Sequence, residues 1–302
     1  MRLTPGVAIS ANDKYREHIM NIPKYWAKET YTMENGDGDS ATGECWGWSN
    51  HSVEDARQQA RLGAQQHAQK ILNRFEKPLD RYPYGVRAMR EETVQAIADA
   101  QGKEIAIVTR NAYGALVLNA ANAMFIDIDF NEEKPSGGLG RLFGGKAGPS
   151  QEQTSVERVE QWATKNPGVA LRVYRTAGGL RCLITTDIFD PSQESTLDIL
   201  RAFDSDPLYV KLCRGQGCFR ARLTPKPWRL GIGKPPTRYP FEDVRAETKF
   251  RQWEQNYTQN SANYSVCKLV KEIGYGTVHP NVAQVVALHD RATVSTGERE
   301  LA

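Results

Sequence analysis

The sequence lacks the features that are typical of membrane proteins, secreted proteins and proteins with a structural zinc site. Its 302 residues contain no apolar run long enough to span a bilayer, and the N-terminus lacks the basic start and apolar centre of a signal peptide. The five cysteines are odd in number and scattered, which argues against a disulfide framework and against a zinc motif. We therefore expect a protein of the cytoplasm, with plain thiols and no membrane partner.

Acidic residues are missing from one stretch of thirty residues, Tyr209 to Arg238. The same stretch carries eight basic residues, in a chain whose formal net charge is only +3. They are Lys211, Arg214, Arg220, Arg222, Lys226, Arg229, Lys234 and Arg238. Such a concentration of charge suits a surface for phosphates or another polyanion, and a solvated basic loop is the alternative.

The remaining composition is that of an ordinary globular protein, with 40% hydrophobic and 25% charged residues. The length fits one large domain with additions or two small domains. Residue periodicity predicts three regions: a mainly helical region over 1–100, an α+β core over 101–238 and a helical tail over 239–302. Within the first region, Ser52 is a natural N-cap for a long, alanine-rich helix.

The core region changes to the two-residue period of strands at Glu104. The runs EIAIVT, GALVLN and AMFIDIDF predict an antiparallel meander, and Gly178 and Gly179 predict a hairpin turn that needs positive φ angles. A helix capped by Thr154 or Ser155 and a second helix over 192–204 separate the strands. The predicted fold is an α+β antiparallel sheet with helices on one face, built from strands in 104–130, 169–187 and 217–225.

The stretch MFIDIDF places two aspartates two residues apart in an otherwise apolar run. Because side chains alternate along a strand, Asp127 and Asp129 point to the same face, and burying both charges without a partner is costly. A basic partner or a shared divalent cation would relieve the repulsion. Arg220 and Arg222 share a strand face in the same way, so a metal-free cluster of these four residues on adjacent strands is the alternative to a metal site.

The order of these motifs resembles the catalytic core of the archaeo-eukaryotic primase superfamily. MFIDIDF matches its hydrophobic–Asp–hydrophobic–Asp strand, YRTAGGLRCLI matches the position of its hairpin motif, and RARLTPKPWR occupies the place of its later basic element. The resemblance covers about residues 104 to 235. It implies an RRM-like palm that uses Mg²⁺ or Mn²⁺, with nucleoside triphosphates and nucleic acid as partners, as in DNA replication.

The resemblance also implies roles for individual residues. Asp127 and Asp129 would be the catalytic metal ligands, and Arg181 stands where the family has its histidine. Five further residues would bind the nucleotide phosphates: Arg175, Arg220, Arg222, Lys226 and Arg229. None of the five histidines lies in the core segment, and the candidates for a third carboxylate are Asp187, Glu132 and Glu133.

Three functions follow from these observations. The first is a metal-dependent nucleotidyltransferase of the primase-polymerase type. The second is a non-catalytic nucleic-acid-binding protein on a primase-like fold, which the arginine at position 181 favours. The third is a metal-dependent phosphoesterase that uses the paired aspartates to activate water, which the intact Asp-x-Asp pair favours as it does the first.

Overall fold

The computed structural model describes residues 20–73, 88–130, 150–294 and 298–302. The strands are β1 (Tyr25–Glu34), β2 (Ser40–Ser49), β3 (Glu92–Ala98), β4 (Glu104–Arg110), β5 (Leu116–Ala120), β6 (Phe125–Asp129), β7 (Leu171–Thr176), β8 (Gly179–Ile184), β9 (Phe219–Arg222), β10 (Tyr264–Ser265), β11 (Cys267–Ile273) and β12 (Glu300–Leu301). The helices in these ranges are α1 (Val53–Leu72), α2 (Gln151–Lys165), α3 (Glu194–Ala202), α4 (Pro207–Gln216), α5 (Val244–Ser261) and α6 (Pro280–Thr293). The protein is therefore a mixed α+β structure.

The N-terminal part consists of a β-hairpin covered by one helix. Strands β1 and β2 pair antiparallel, and α1 lies on one face of the hairpin through four buried alanines spaced four residues apart. Gly47 permits this close contact, since a Cβ there would lie 2.2 Å from the carbonyl oxygen of Ala56. The Ser52 hydroxyl caps α1 by accepting a hydrogen bond from the Asp55 N–H, as predicted.

The prediction of a mainly helical region over residues 1–100 is wrong for the part that the structure describes. There α1 is accompanied by β1, β2 and β3. The run YWAKETYTME, which forms β1, is rich in the aromatic and β-branched residues that favour strands. Residues 1–19 and 74–87 lie outside the described ranges.

The predicted single sheet is also wrong, because the core strands divide between two antiparallel four-stranded sheets. One sheet has the order β3-β4-β5-β9 and the other β11-β7-β8-β6. Strands β4 and β5 pair as predicted, but β6 leaves the meander and pairs with β8. Strand β5 has β4 on one edge and β9 on the other, so no edge of β5 is open to β6.

The two helices predicted between the strands are confirmed as α2 and α3. The cap of α2 is Ser150 instead of Thr154 or Ser155, in a capping box with Gln153. Helix α4 was not predicted and occupies the start of the basic stretch. Its sequence signal is Asp206 followed by Pro207, which is a cap residue followed by proline at the first helical position.

The C-terminal region is helical only in part. Helices α5 and α6 agree with the predicted helical tail over 239–302, but Cys267–Ile273 between them forms β11 on the open edge of β7. Val282 and Val285 of α6 belong to the same apolar core as Phe125 of β6. The tail therefore completes the sheet that carries the two aspartates. Within the described ranges, no helix combines the length and the apolar character needed to cross a membrane.

Candidate functional site

The site is built on the antiparallel pair of β6 and β8. Asp127 lies directly opposite Arg181, and Asp129 lies opposite Gly179, so both aspartates share one face of the sheet as predicted. Neither Gly178 nor Gly179 has the positive φ that the sequence analysis expected. The glycine at 179 is required for close approach instead, because a Cβ there would lie 1.9 Å from the Ile128 carbonyl oxygen.

Arg181 is a buried guanidinium, 3% exposed, that is held by uncharged acceptors. Its Nη1 donates to the backbone carbonyl of Arg222 at 3.0 Å and contacts Nε2 of His289 at 3.3 Å. In the described part of the chain, no carboxylate lies within ion-pair distance of Arg181, although Asp127 faces it across the strands. A buried cation held by neutral acceptors is suited to receiving an anionic ligand.

His289 reaches the site from α6, outside the segment that resembles the primase core. An arginine can only donate, so Nε2 of His289 accepts, and Nδ1 carries the proton and donates to Asp290 Oδ1 at 2.9 Å. Burial lowers the pKa of His289 to about 4, so the imidazole is neutral at pH 7. The spacing of Val282, Val285 and His289 on one helix face was a signal for its burial, but nothing local pointed to Arg181.

The two aspartates form a crowded acidic pair. Burial, then the charge of Asp127 and then that of Asp206, raise the pKa of the Asp129 carboxyl, while Lys226 and Arg222 oppose the rise. Asp206 itself caps α4, accepting hydrogen bonds from the N–H groups of Leu208 at 3.1 Å and Tyr209 at 3.3 Å. Its charge contributes to the raised pKa of Asp129, while its carboxylate oxygens cap the helix.

The sequence candidates for a third carboxylate do not supply it. Asp187 follows the end of β8 that is opposite to the Gly179 end, and Glu132 and Glu133 lie outside the described residues. Asp206 was missed because it is distant in sequence, although its backbone N–H donates to the Asp127 carbonyl oxygen at 3.2 Å. Among the described residues, no group of three or more His, Cys, Asp or Glu side chains is arranged to hold a metal ion.

Three predicted phosphate-binding cations surround this pair. Burial, followed by repulsion from Arg181, lowers the pKa of Arg222 to about 10. Burial and the charges of Arg222 and Arg229 likewise lower the pKa of Lys226. The guanidinium of Arg229 reaches the turn at Gly178, where the carboxylate of Asp129 also lies. The cations therefore repel one another and are incompletely neutralised.

The other two predicted phosphate-binding arginines already have protein partners. Arg220 is buried and binds both carboxylate oxygens of Glu91, at 2.7 and 2.9 Å. Arg175 pairs with Glu152 at 3.0 Å. The alternative of an aspartate–arginine cluster on adjacent strands is wrong, because β9 pairs with β5 and the carboxylate beside Arg220 comes from Glu91.

Asp127, Arg181 and Arg222 line a cavity of about 530 Å³. Six cations line it, against two carboxylates, Glu91 and Asp127. The cations are Arg90, Arg181, Arg220, Arg222, Lys226 and Arg238. Tyr113 and Tyr239 add aromatic surface, and neither they nor Arg90 were expected at the site, whereas Arg238 is the last cation of the predicted basic stretch. A cavity of this size with surplus positive charge and aromatic walls suits a small anionic ligand that carries a ring.

Comparison with known proteins gives no match to a family model, to a curated protein or to a solved structure. The chemistry of the cavity and its acidic pair therefore carries the functional argument.

Proposed function

We propose that the cavity binds a nucleoside triphosphate and that the protein is a metal-dependent nucleotidyltransferase of the primase-polymerase type, acting on nucleic acid. The observation that carries the proposal is that the buried Arg181 and the partly buried Arg222 line the same cavity as Asp127, the first residue of the acidic pair. A location in the cytoplasm, where nucleoside triphosphates are abundant, belongs to the same proposal.

The cations account for recognition of the triphosphate. Guanidinium groups form paired, charge-assisted hydrogen bonds to phosphate oxygens, and these bonds are strongest where water is excluded. Arg222 and Lys226 lose part of their mutual repulsion when an anion lies between them, so binding restores the stability that their crowding removes. Tyr113 and Tyr239 offer their rings to the base or sugar.

The acidic pair fits a divalent cation. Asp127 and Asp129 supply the oxygen ligands that Mg²⁺ and Mn²⁺ prefer, and a bound cation would relieve the repulsion that raises the pKa of Asp129. Mg²⁺ is commonly held by only one or two carboxylates together with substrate phosphates, so a third protein ligand is not required. When bound, such an ion stabilises charge on the attacking and leaving oxygens of an in-line displacement.

The reaction transfers a nucleotide to a hydroxyl group of nucleic acid. A bond forms between the hydroxyl oxygen and the α-phosphorus, the hydroxyl proton passes to solvent, the bond from that phosphorus to the bridging oxygen breaks, and pyrophosphate leaves. Arg222 and Lys226 would hold the negative charge that accumulates on the departing phosphates. Arg181 would orient the triphosphate from the cavity wall.

A second candidate is nucleotide or nucleic-acid binding without catalysis. It is favoured by Arg181, which stands where the resembling family has a histidine and which cannot lose a proton to act as a base. A phosphoesterase would use the same acidic pair on water. The products distinguish the three functions. A nucleotidyltransferase yields an extended strand and pyrophosphate, a binding protein yields no product, and a phosphoesterase yields free phosphate.

The test measures nucleotide binding and product formation with the same protein. Isothermal titration with a nucleoside triphosphate and Mn²⁺ is expected to show binding that weakens in EDTA, and a primed template is expected to be extended. Asp127→Asn should abolish extension, and Arg222→Ala should weaken binding, while Arg201→Ala, an exposed arginine paired with Glu194, should change neither. Wild-type protein that binds no triphosphate would refute the proposal, and binding without any product would leave the second candidate.

A further inference from the structure

A second feature lies at the mouth of the cavity, on the short 3₁₀ helix Pro227–Leu230. Trp228 in this helix is 48% exposed, and its ring contacts Tyr113 edge-on, with 5.3 Å between the ring centroids. We call Tyr113, Lys226, Trp228, Arg229 and Lys234 the Trp228 surface. A large aromatic ring that packs edge-on against a neighbour and is about half exposed offers solvent a surface on which a base can stack.

The Trp228 surface alternates aromatic rings with cations. The Lys226 Nζ lies 5.5 Å from the centre of the Trp228 ring, and the Lys234 Nζ lies 5.9 Å from that of Tyr113. Among the described residues, no carboxylate is within ion-pair distance of Lys226, Arg229 or Lys234. The nearby sequence offers none either, because Tyr209 to Arg238 contains no acidic residue. The surface therefore presents unneutralised positive charge beside an exposed indole.

We propose that the Trp228 surface binds single-stranded nucleic acid, with a base stacked on Trp228 and backbone phosphates at Lys226, Arg229 and Lys234. Interleaved rings and cations are the combination that single strands require, because every base has a face to stack and every linkage a charge. A duplex keeps its bases stacked on one another and has none free for the indole. An acidic peptide would use the cations but not the open ring.

The surface is continuous with the cavity, because Tyr113 and Lys226 belong to both. A strand lying on Trp228 would therefore bring its end toward the bound triphosphate. In this respect the inference rests on the proposed function, to which it adds the form of the nucleic acid and its place of binding. Trp228 and Lys234 belong to the surface without lining the cavity, and Arg181 and Arg222 line the cavity without belonging to the surface, so the two kinds of binding can fail separately.

Fluorescence anisotropy with a labelled oligothymidylate, as DNA and as RNA, tests the proposal. Trp228→Ala is expected to weaken binding by roughly 5- to 150-fold, the range for loss of one stacked base, while Trp228→Phe keeps most of the affinity. Lys234→Ala should lower the slope of log affinity against log salt by about 0.7, and Trp228→Ala should leave that slope unchanged. The matched control is Trp48→Ala, which removes a tryptophan that is 37% exposed on β2.

Three results would overturn the proposal. They are equal affinity of wild type and Trp228→Ala, an equal loss in Trp48→Ala, and tighter binding of duplex than of single strand at the same salt concentration. Titration of the Trp228→Ala protein with a nucleoside triphosphate separates this proposal from the proposed function. Retained triphosphate binding with lost strand binding supports the Trp228 surface, whereas wild-type protein that binds the strand but no triphosphate refutes the proposed function alone.

Discussion

Arg181 Nη1 lies 3.3 Å from His289 Nε2, a contact between residues 108 positions apart in the chain. It joins the strand that faces Asp127 to a helix near the C-terminus. Because Asp290 holds the other imidazole nitrogen, the ring presents a fixed acceptor to the guanidinium. His289 is thus a positioning residue for Arg181.

Replacing His289 should affect stability and triphosphate binding together. His289→Leu removes an acceptor from a buried cation, so we expect a loss of about 1–3 kcal/mol in the free energy of unfolding and weaker triphosphate binding. His289→Gln, which retains an acceptor, should lose less of both. Each His289 substitution should weaken triphosphate binding less in an Arg181→Lys background than in wild type, because its effect on binding acts through Arg181. Titration calorimetry measures these affinities. Equal binding losses with and without Arg181 would contradict a positioning role.

The same histidine predicts a pH dependence of stability. Its ordinary pKa of 6.5 falls to about 4 in the folded protein, chiefly through burial, so the unfolded chain takes up the proton first. The stability contributed by the neutral ring is present above pH 6.5 and is lost as the pH falls towards 4. Denaturant titrations over this range should show a steeper decline for wild type than for His289→Gln. If stability falls equally steeply with pH in both proteins, the loss is caused by the protonation of groups other than His289.

Glu91 should be among the costliest single positions to change. Its carboxylate binds Arg220 through both oxygens and accepts the hydroxyl of Thr109 at 2.5 Å, all in the buried interior. Glu91→Ala leaves the Arg220 guanidinium uncompensated, at a cost of about 3–5 kcal/mol by urea denaturation. Glu91→Leu with Arg220→Met removes both charges and should recover much of the loss. A small effect of Glu91→Ala would show that water replaces the carboxylate.

The two aspartates predict a gain of stability when one charge is removed in the absence of metal. Burial and the neighbouring carboxylates raise the pKa of Asp129, so the contribution of this group to stability is fully present below its ordinary pKa of 3.8 and is lost as the pH rises through the folded value. Asp129→Asn in EDTA should therefore hold or raise the melting temperature at neutral pH, with the difference disappearing in acid. A sharp fall instead would mean that the carboxylate serves as an ion-pair partner of the neighbouring cations.

Salt dependence should distinguish Arg222 from Arg220. Arg222 has no carboxylate partner within ion-pair distance in the described residues, whereas Arg220 is bound to Glu91. We expect Arg222→Ala to reduce the slope of log affinity for a nucleoside triphosphate against log salt, because one cation that contacts its phosphates is lost. The matched control is the double variant Glu91→Leu with Arg220→Met, which removes one positive and one negative charge and should leave the slope unchanged. Equal slopes for both proteins and wild type would exclude Arg222 from phosphate contact.

Much of the secondary structure was readable from local pattern. The strand MFIDIDF, the Gly-Gly hairpin and helices α1, α2, α3, α5 and α6 follow from residue period, cap residues and turn residues, which act over a few positions. The shared face of Asp127 and Asp129 likewise follows from the alternation of side chains along a strand. These properties depend only on neighbouring residues, so the sequence by itself determined them.

Only the tertiary structure decided which strands pair and which side chains meet. A two-residue period of apolar side chains predicts a strand but does not identify the strand beside it. Strand β6 pairs with β8 because both edges of β5 are already paired with other strands. The partners of Arg181 and Arg220 are His289 and Glu91, which lie 108 and 129 positions away. A buried charge is stable only when a partner group compensates it. Folding can bring that partner from any part of the chain, so the residues next to the charge do not show where the partner lies.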